Sequence, residues 1–444
     1  MEFLENIETK TLFDISVIDL NRYKINSIKV SPEHNKFVIL LYDIDEACYL
    51  LMENGEYEDS DTFENALIVY SYNNVSIRCG NSDKFDNAWN LQISPKGEIF
   101  LLASNMGSWF IFKNGEQIGE YEFIWDLQFN SSGSYAAAIK KDIGCGMIVD
   151  NKEWPNFYAD GSNFLLAQNS DTTLGICRLV QVEEKDVLAF NKGTFGLVKN
   201  GIPINSVFYT IKYPAMDKTG ENVAAVARNE GKRFLILQND THWPKEFDLA
   251  WYPRFHPQKK NELYVPVRDG KWWFLYLNGE KFLDVPFIQL LDIKISENGE
   301  TLALICSKKF GKFTICVNGS FWRKNFPLIE DVVISPDGSK VLAVVQTHYP
   351  CLKLNKIIPE PKRKLILNDQ EITGCVQKVL YPKFSKSSRH FVACIKKDEY
   401  YFVLVDNNIL DVKFNHIFEP IFVEDYLIVW GIINNKLTQL IKKL

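Results

Sequence analysis

The feature of this chain that most narrows its fold is a pair of turn signals recurring in fixed phase. One series consists of two-residue steps of Asn, Asp and Gly: Asn73-Asn74, Asn114-Gly115, Asp150-Asn151, Asn200-Gly201, Asn239-Asp240, Asn278-Gly279, Asn318-Gly319, Asn368-Asp369 and Asn407-Asn408. These residue types tolerate the positive φ that a two-residue hairpin demands. The second series includes Ser94-Pro95-Lys96-Gly97, Ser131-Ser132-Gly133, Glu297-Asn298-Gly299 and Ser335-Pro336-Asp337-Gly338. Two independent series in register define an internal repeat, and such a repeat decides the architecture.

Residues 290–329 show one unit in full: a strand a (DIKIS), the turn ENG, a strand b (TLALICS), a lysine-rich link, a strand c (KFTICV), the turn Asn318-Gly319 and a strand d (SFWRKNF). A four-stranded meander in about forty residues is the size of a propeller blade. Units begin near residues 26, 88, 124, 162, 210, 250, 290, 330, 378 and 418. The fold class expected is therefore all-β: one closed β-propeller of about ten four-stranded antiparallel blades, with residues 1–444 as a single domain. The last unit supplies three strands, PIFVED, YLIVWGI and KLTQLI. TLFDISVIDL, within residues 1–25, has no other partner and fits as the closing strand, so that the N- and C-terminal strands close the ring and leave no raw sheet edge.

Three units are longer than the norm, with extensions at 42–64, 179–194 and 347–364. In the first, KFVILLYDIDEACYLLMENG reads as a hairpin projecting from its blade. Loops on a rigid scaffold are where interaction specificity resides, and each extension sets apolar anchors beside charges, the composition of an interface. The candidate interface residues are Tyr49, Leu50, Leu188, Phe190, Tyr349 and Ile357. The run 356–364, within NKIIPEPKRKL, is the densest basic patch and suits an acidic partner or a membrane surface.

Catalytic signatures are missing. The chain has no G-x-S-x-G elbow, no G-K-[ST] phosphate loop and no G-x-G-x-x-G fingerprint. Its six histidines are dispersed; His34 and His256 stand where small turn residues would, as solvated turn residues. Asp126, Asp292 and Asp331 fall at matching points beside strand a, which suits blade-edge hydrogen bonding better than a single acid/base pair. Nine cysteines include no C-x-x-C pair and several fall in apolar strands, so reduced, buried thiols and no resident metal, haem, flavin or iron-sulfur cofactor are expected. Trp89, Trp125 and Trp251 before strand a, and Trp154, Trp243 and Trp322 after the c-to-d turn, suit packing between blades. A formal net charge of −6 gives no footprint for a nucleic-acid backbone. The absence of a signal segment and of a run long enough to span a bilayer leads to the expectation of a cytoplasmic protein with no transmembrane segment.

Aligned by phase, the units resemble the WD40-like propeller that forms the D subunit of the Tmc transmembrane redox complex of sulfate-reducing bacteria. The resemblance rests on ISPDGSKVLAVV, CVNGSFW, CGMIVDNKEW, LAWYPRFHP and the long fourth unit GSNFLLAQNSDTTLGICRLVQVEEKDVLAFNKGTFGLVKNG. It implies a non-catalytic scaffold without a cofactor. Its partners would be an iron-sulfur subunit resembling heterodisulfide reductase and a cytochrome b-type membrane subunit, at the inner face of the cytoplasmic membrane. Two other readings remain: a free-standing propeller that binds a peptide or small ligand, and a glycan-processing propeller enzyme.

Overall fold

The computed structural model describes residues 7–55, 66–72, 75–182, 186, 193–204, 206–231, 233–348 and 362–444. Among them the strands form ten antiparallel sheets, and the helices are two short 3-10 turns, Ile15–Val17 and Pro32–His34. In eight of the sheets the strands a, b, c and d form a meander in chain order, the blade of a β-propeller; the first sheet carries an added strand, and the last takes its strand d from the N-terminus. The chain divides into two compact units, residues 154–412 and residues 1–153 with 413–444.

The unit formed by residues 154–412 holds the fourth to ninth blades. Their a strands begin at Gly161, Thr210, Leu249, Gln289, Ile329 and Lys378, at or within a residue of the positions the turn phase predicts. Strand b reads as an unbroken apolar run because both of its faces are buried. Val223, Ala225 and Ala227 pack toward the fourth blade, while Ala224 and Val226 between them pack toward the sixth. The same division recurs at Leu302, Leu304 and Cys306 against Ala303 and Ile305. Each blade thus shares a core with the next, and no blade could bury its b strand alone.

From the second to the ninth blade the c-to-d turns stand where the Asn and Asp steps place them, with one shift: in the ninth blade the turn is Asp406-Asn407, and Asn408–Ile409 is already strand d. The step at 73–74 lies outside the described residues, between the added strand Ala66–Tyr72 and Val75–Phe85 and not after strand c. Positive φ is one reason for these residues, as at Asn278 (47°) and Asn318 (45°). A second reason is a side-chain bond back to strand b. Asn318 Oδ1 accepts the amide of Leu302 at 2.8 Å, and Asn200, Asn239, Asn278, Asn368 and Asp406 do the same for Thr173, Val223, Leu263, Val341 and Phe391. Strand d itself is shorter than SFWRKNF suggests. Ser320–Phe321 pairs with strand c; the chain then swings out and returns at Phe326, which bridges Phe313. The Thr314 hydroxyl lies 3.2 and 3.0 Å from the carbonyls of Trp322 and Lys324 and supports the gap.

The other unit holds the first three blades and the terminal one. In the terminal blade Ile7–Asp14 pairs along Lys436–Lys443, from Ile7 opposite Lys442 to Asp14 opposite Lys436. This N-terminal strand is strand d of the last sheet, and it buries Leu12 and Phe13; it starts and ends earlier than TLFDISVIDL suggests, because Asp14 caps a 3-10 turn at Ile15–Val17 and ends the pairing there. Phe13 stacks on Phe37 at 5.9 Å, and Phe37 meets Trp430 at 6.3 Å.

The first blade differs from expectation. Lys36–Asp43 and Cys48–Gly55 are its b and c strands, so KFVILLYDIDEACYLLMENG is the blade's own central hairpin and does not project. The physical reason is burial on both faces: Phe37, Ile39 and Leu41 lie in one core, Val38 and Leu40 in another. The added element is instead Ala66–Tyr72, a fifth strand outside Val75–Phe85 at the sheet edge.

Candidate interaction surface

A blade offers three places for function: the a-to-b turns, the exposed edge along strand a, and the b-to-c turns at the opposite end. In the six-blade unit the a-to-b turns are occupied with one another. Asn169 N and Ser170 Oγ donate to the carbonyls of Lys218 and Thr219, each at 2.7 Å. Asn298 Nδ2 and Thr301 Oγ1 donate to Asp337 and Gly338 oxygens, each at 2.8 Å, and Lys340 Nζ reaches the Ser388 carbonyl at 2.9 Å. Asp337 sits inside its own turn, where the hydroxyl of Ser335 and the amide and hydroxyl of Ser339 donate to it and hold its carboxyl well below the usual range.

His256 belongs to this rim and corrects the expectation of a solvated histidine. It is buried; Nδ1 accepts the amides of Gln258 and Lys259 at 3.1 and 2.9 Å. The proton therefore sits on Nε2, which donates to the Gly299 carbonyl at 3.0 Å. His34 in the first blade is exposed, and its Nε2 lies 2.9 Å from the Pro95 carbonyl of the following blade.

Strand a carries a bulge in most blades, with positive φ at Asn90, Asp126, Asn163, Tyr213 and Tyr381. Bulky Tyr213, at 54°, is strained by about 1–2 kcal/mol. Its ring lies 4.2 Å from Tyr252 and 6.1 Å from Trp251, which stacks on Trp273 at 5.4 Å. Arg254 lies near Tyr252 and reaches toward Asp292 at 3.7 Å. In the other unit Trp89, 39% exposed, stacks with Phe123, and Phe123 with Trp125. Trp89 thus joins a small aromatic group along strand a, and Trp251 also packs against the core shared by the sixth and seventh blades; Trp154 and Trp243 are buried and donate their indole N–H to Thr173 and Gln238. Asp292 and Asp331 each accept the next residue's amide at 2.8 Å, and burial pushes the Asp126 carboxyl up.

The b-to-c turns are different in kind, because they display apolar side chains that no core uses. In the six-blade unit these are Val180, Trp272, Phe310 and Tyr400; in the other unit they are Ile44, Met106 and Ile143. Met106 is 99% exposed and Phe310 85%. Between the turns of the second and third blades lies an open cleft of about 480 Å³, lined by Ser108, Glu120, Glu122, Lys141, Asp142 and Ile143 among others. Sequence reasoning passed over these tips. Their signal is a lone large apolar residue inside a turn, as in KKFGK and SNMGS.

Of the expected interface residues, Tyr49 is partly buried against Tyr42 at 5.0 Å, and Leu50 is fully buried in the first blade's core. Leu188, Phe190, Tyr349 and Ile357 lie outside the described residues, as does most of the basic run 356–364. Cys145, Cys177, Cys306, Cys316 and Cys394 are buried thiols, and burial pushes the Cys306 and Cys316 thiols up. Among the described residues no three His, Cys, Asp or Glu side chains converge as a metal site would require, and no helix is long and apolar enough to cross a membrane.

These sheets define a β-propeller with WD40-like blades, and a propeller supports an interaction or scaffold role in general terms. No family model and no curated protein matches the sequence. Among solved structures, a eukaryotic initiation factor is 12% identical, with a TM-score of 0.44 over 91% of this chain and 97% of that one. TolB from Acinetobacter baumannii is 12% identical, with a TM-score of 0.29 over 71% and 78%. The Cps50 (Swd1) β-propeller domain from Myceliophteria thermophila is 8% identical, with a TM-score of 0.29 over 71% and 94%.

Proposed function

We propose that the chain is a non-catalytic interaction subunit of a membrane-associated electron-transfer complex, docked on the complex's cytoplasmic iron-sulfur part. The observation that carries an interaction role is the set of exposed apolar b-to-c tips, Met106 and Ile143 foremost, which the fold does not require. Side chains along the opposite rim are engaged in holding neighbouring blades together, so that rim has less to offer a partner. The complex itself is suggested by the sequence resemblance of the repeat units and the long fourth unit.

Affinity purification of the tagged chain from its native organism tests the reading. Co-purification of a cysteine-rich iron-sulfur subunit and a b-type cytochrome is expected; recovery of the chain alone overturns it.

A further inference from the structure

We infer that the neighbouring b-to-c turns of the sixth and seventh blades form a docking tip for an anionic phospholipid surface. The inference adds a lipid contact to the interaction role proposed above and rests on it only for its setting.

The two turns, Gly270-Lys271-Trp272 and Lys309-Phe310-Gly311-Lys312, leave the same end of two sheets that share one core. Trp273, Leu275, Phe287, Leu290, Leu302 and Leu304 pack there together. Both turns are tight, with Gly270 at φ 65° and Gly311 at φ 69°, and the amide of Gly270 is fixed by Asp248 Oδ2 at 2.6 Å. The tips are thus held out by rigid backbone. At their ends Phe310 is 85% and Trp272 44% exposed.

Charge identifies the occupant. Lys271 lies in one turn and Lys308, Lys309 and Lys312 lie in or beside the other, with no acid within either turn. The Lys308 ammonium lies over the Phe321 ring at 3.4 Å. Those of Lys271, Lys309 and Lys312 make no ion pair among the described residues. The carboxylates at the base of the first turn face cations: Asp269 meets Lys245 at 2.6 Å, and Asp248, which holds the Gly270 amide, lies 3.8 Å from Arg233. A basic tip on a chain of net charge −6 is a local concentration against the general balance.

Protein interfaces are depleted in lysine and gather their apolar residues into a contiguous centre. Separate aromatic tips ringed by lysine match the water–lipid boundary instead, where Trp and Phe enter the headgroup layer and each basic residue strengthens attachment to anionic lipid. The ligand is therefore a surface of anionic headgroups.

The test is co-sedimentation of the full chain with vesicles of equal parts phosphatidylglycerol and phosphatidylcholine, against vesicles of phosphatidylcholine alone. Binding to the anionic vesicles only, weakening as salt rises, is expected. Each lysine removed should lower the partition roughly fivefold, so Lys309→Gln with Lys312→Gln should act together, and Phe310→Ser should lower it roughly tenfold. Because all three side chains are exposed, the melting temperature should not move. Failure to bind anionic vesicles, equal binding to neutral ones, or wild-type binding by these variants overturns the inference. If Phe310→Ser loses a protein partner while the wild type ignores vesicles, the tip is a protein contact and the lipid assignment is wrong. Vesicle binding by a chain that purifies alone would leave the lipid surface standing and remove the proposed complex.

Discussion

His256 seats its imidazole on Gly299 of the following blade: Nε2 donates to the glycine carbonyl at 3.0 Å, and a Cβ on Gly299 would fall 2.1 Å from the ring. Gly299 also holds φ at 80°, a conformation in which a side chain is strained. Blade is thus keyed to blade by a side chain occupying the space that only glycine leaves. Gly299→Ala is expected to destabilise by about 2–4 kcal/mol, from backbone strain and overpacking together. In a His256→Ala background the same change should lose its overpacking part, a non-additivity that thermal melts of the four proteins would reveal.

Asn318 does two things at once, adopting positive φ and accepting the Leu302 amide. Replacing it separates them. Asn318→Gly keeps the conformation and loses the bond; Asn318→Ala loses both. The glycine variant is expected to lose about 1 kcal/mol and the alanine variant about 1–2 kcal/mol more, read as shifts in denaturation midpoint. Equal losses would mean that conformation plays no part at this turn.

The N-terminal strand should be needed for stability. Removing residues 1–22 strips Lys436–Lys443 of its partner and deletes the buried side chains Leu12, Phe13, Ile15 and Ile18. Each such side chain is worth about 1.5–3 kcal/mol, so a fall in melting temperature is expected, with greater aggregation through the exposed edge. An unchanged melting curve would contradict the pairing.

Acid should act through Asp43 in the first blade. Its carboxylate is buried and meets Arg22 Nε and Nη2 at 3.1 and 2.8 Å. The guanidinium holds the carboxyl below its ordinary value of 3.8, with help from the amides of Glu46 and Asp45. Because the folded value is the lower one, the unfolded chain takes up the proton first. The stabilisation is complete above the unfolded value and is lost as pH falls through the folded one. Asp43→Asn should be less stable than wild type at pH 7, and the gap should narrow on acidification below about pH 4; a gap independent of pH would exclude this role.

Most of the fold is determined by the sequence alone, because a repeat writes its local rules many times. The Asn-Gly steps demand positive φ, the b strands must be apolar on both faces, and the incomplete last unit calls for TLFDISVIDL; all of these are local or counting arguments. Tertiary structure decided what depends on neighbours. Whether KFVILLYDIDEACYLLMENG projects or forms the centre of a blade turns on cores contributed by adjoining sheets, and burial in those cores commits Leu50 to packing. His256 reads as a solvated turn residue until the next blade places Gly299 beneath its ring. Phe310, flanked by lysines, looks like one more apolar residue of a strand-rich chain. Its meaning comes from standing at the end of a turn, where no core reaches it, on a blade next to the one that exposes Trp272. Chain order fixes the strands, but only packing decides which of their side chains are left for a partner.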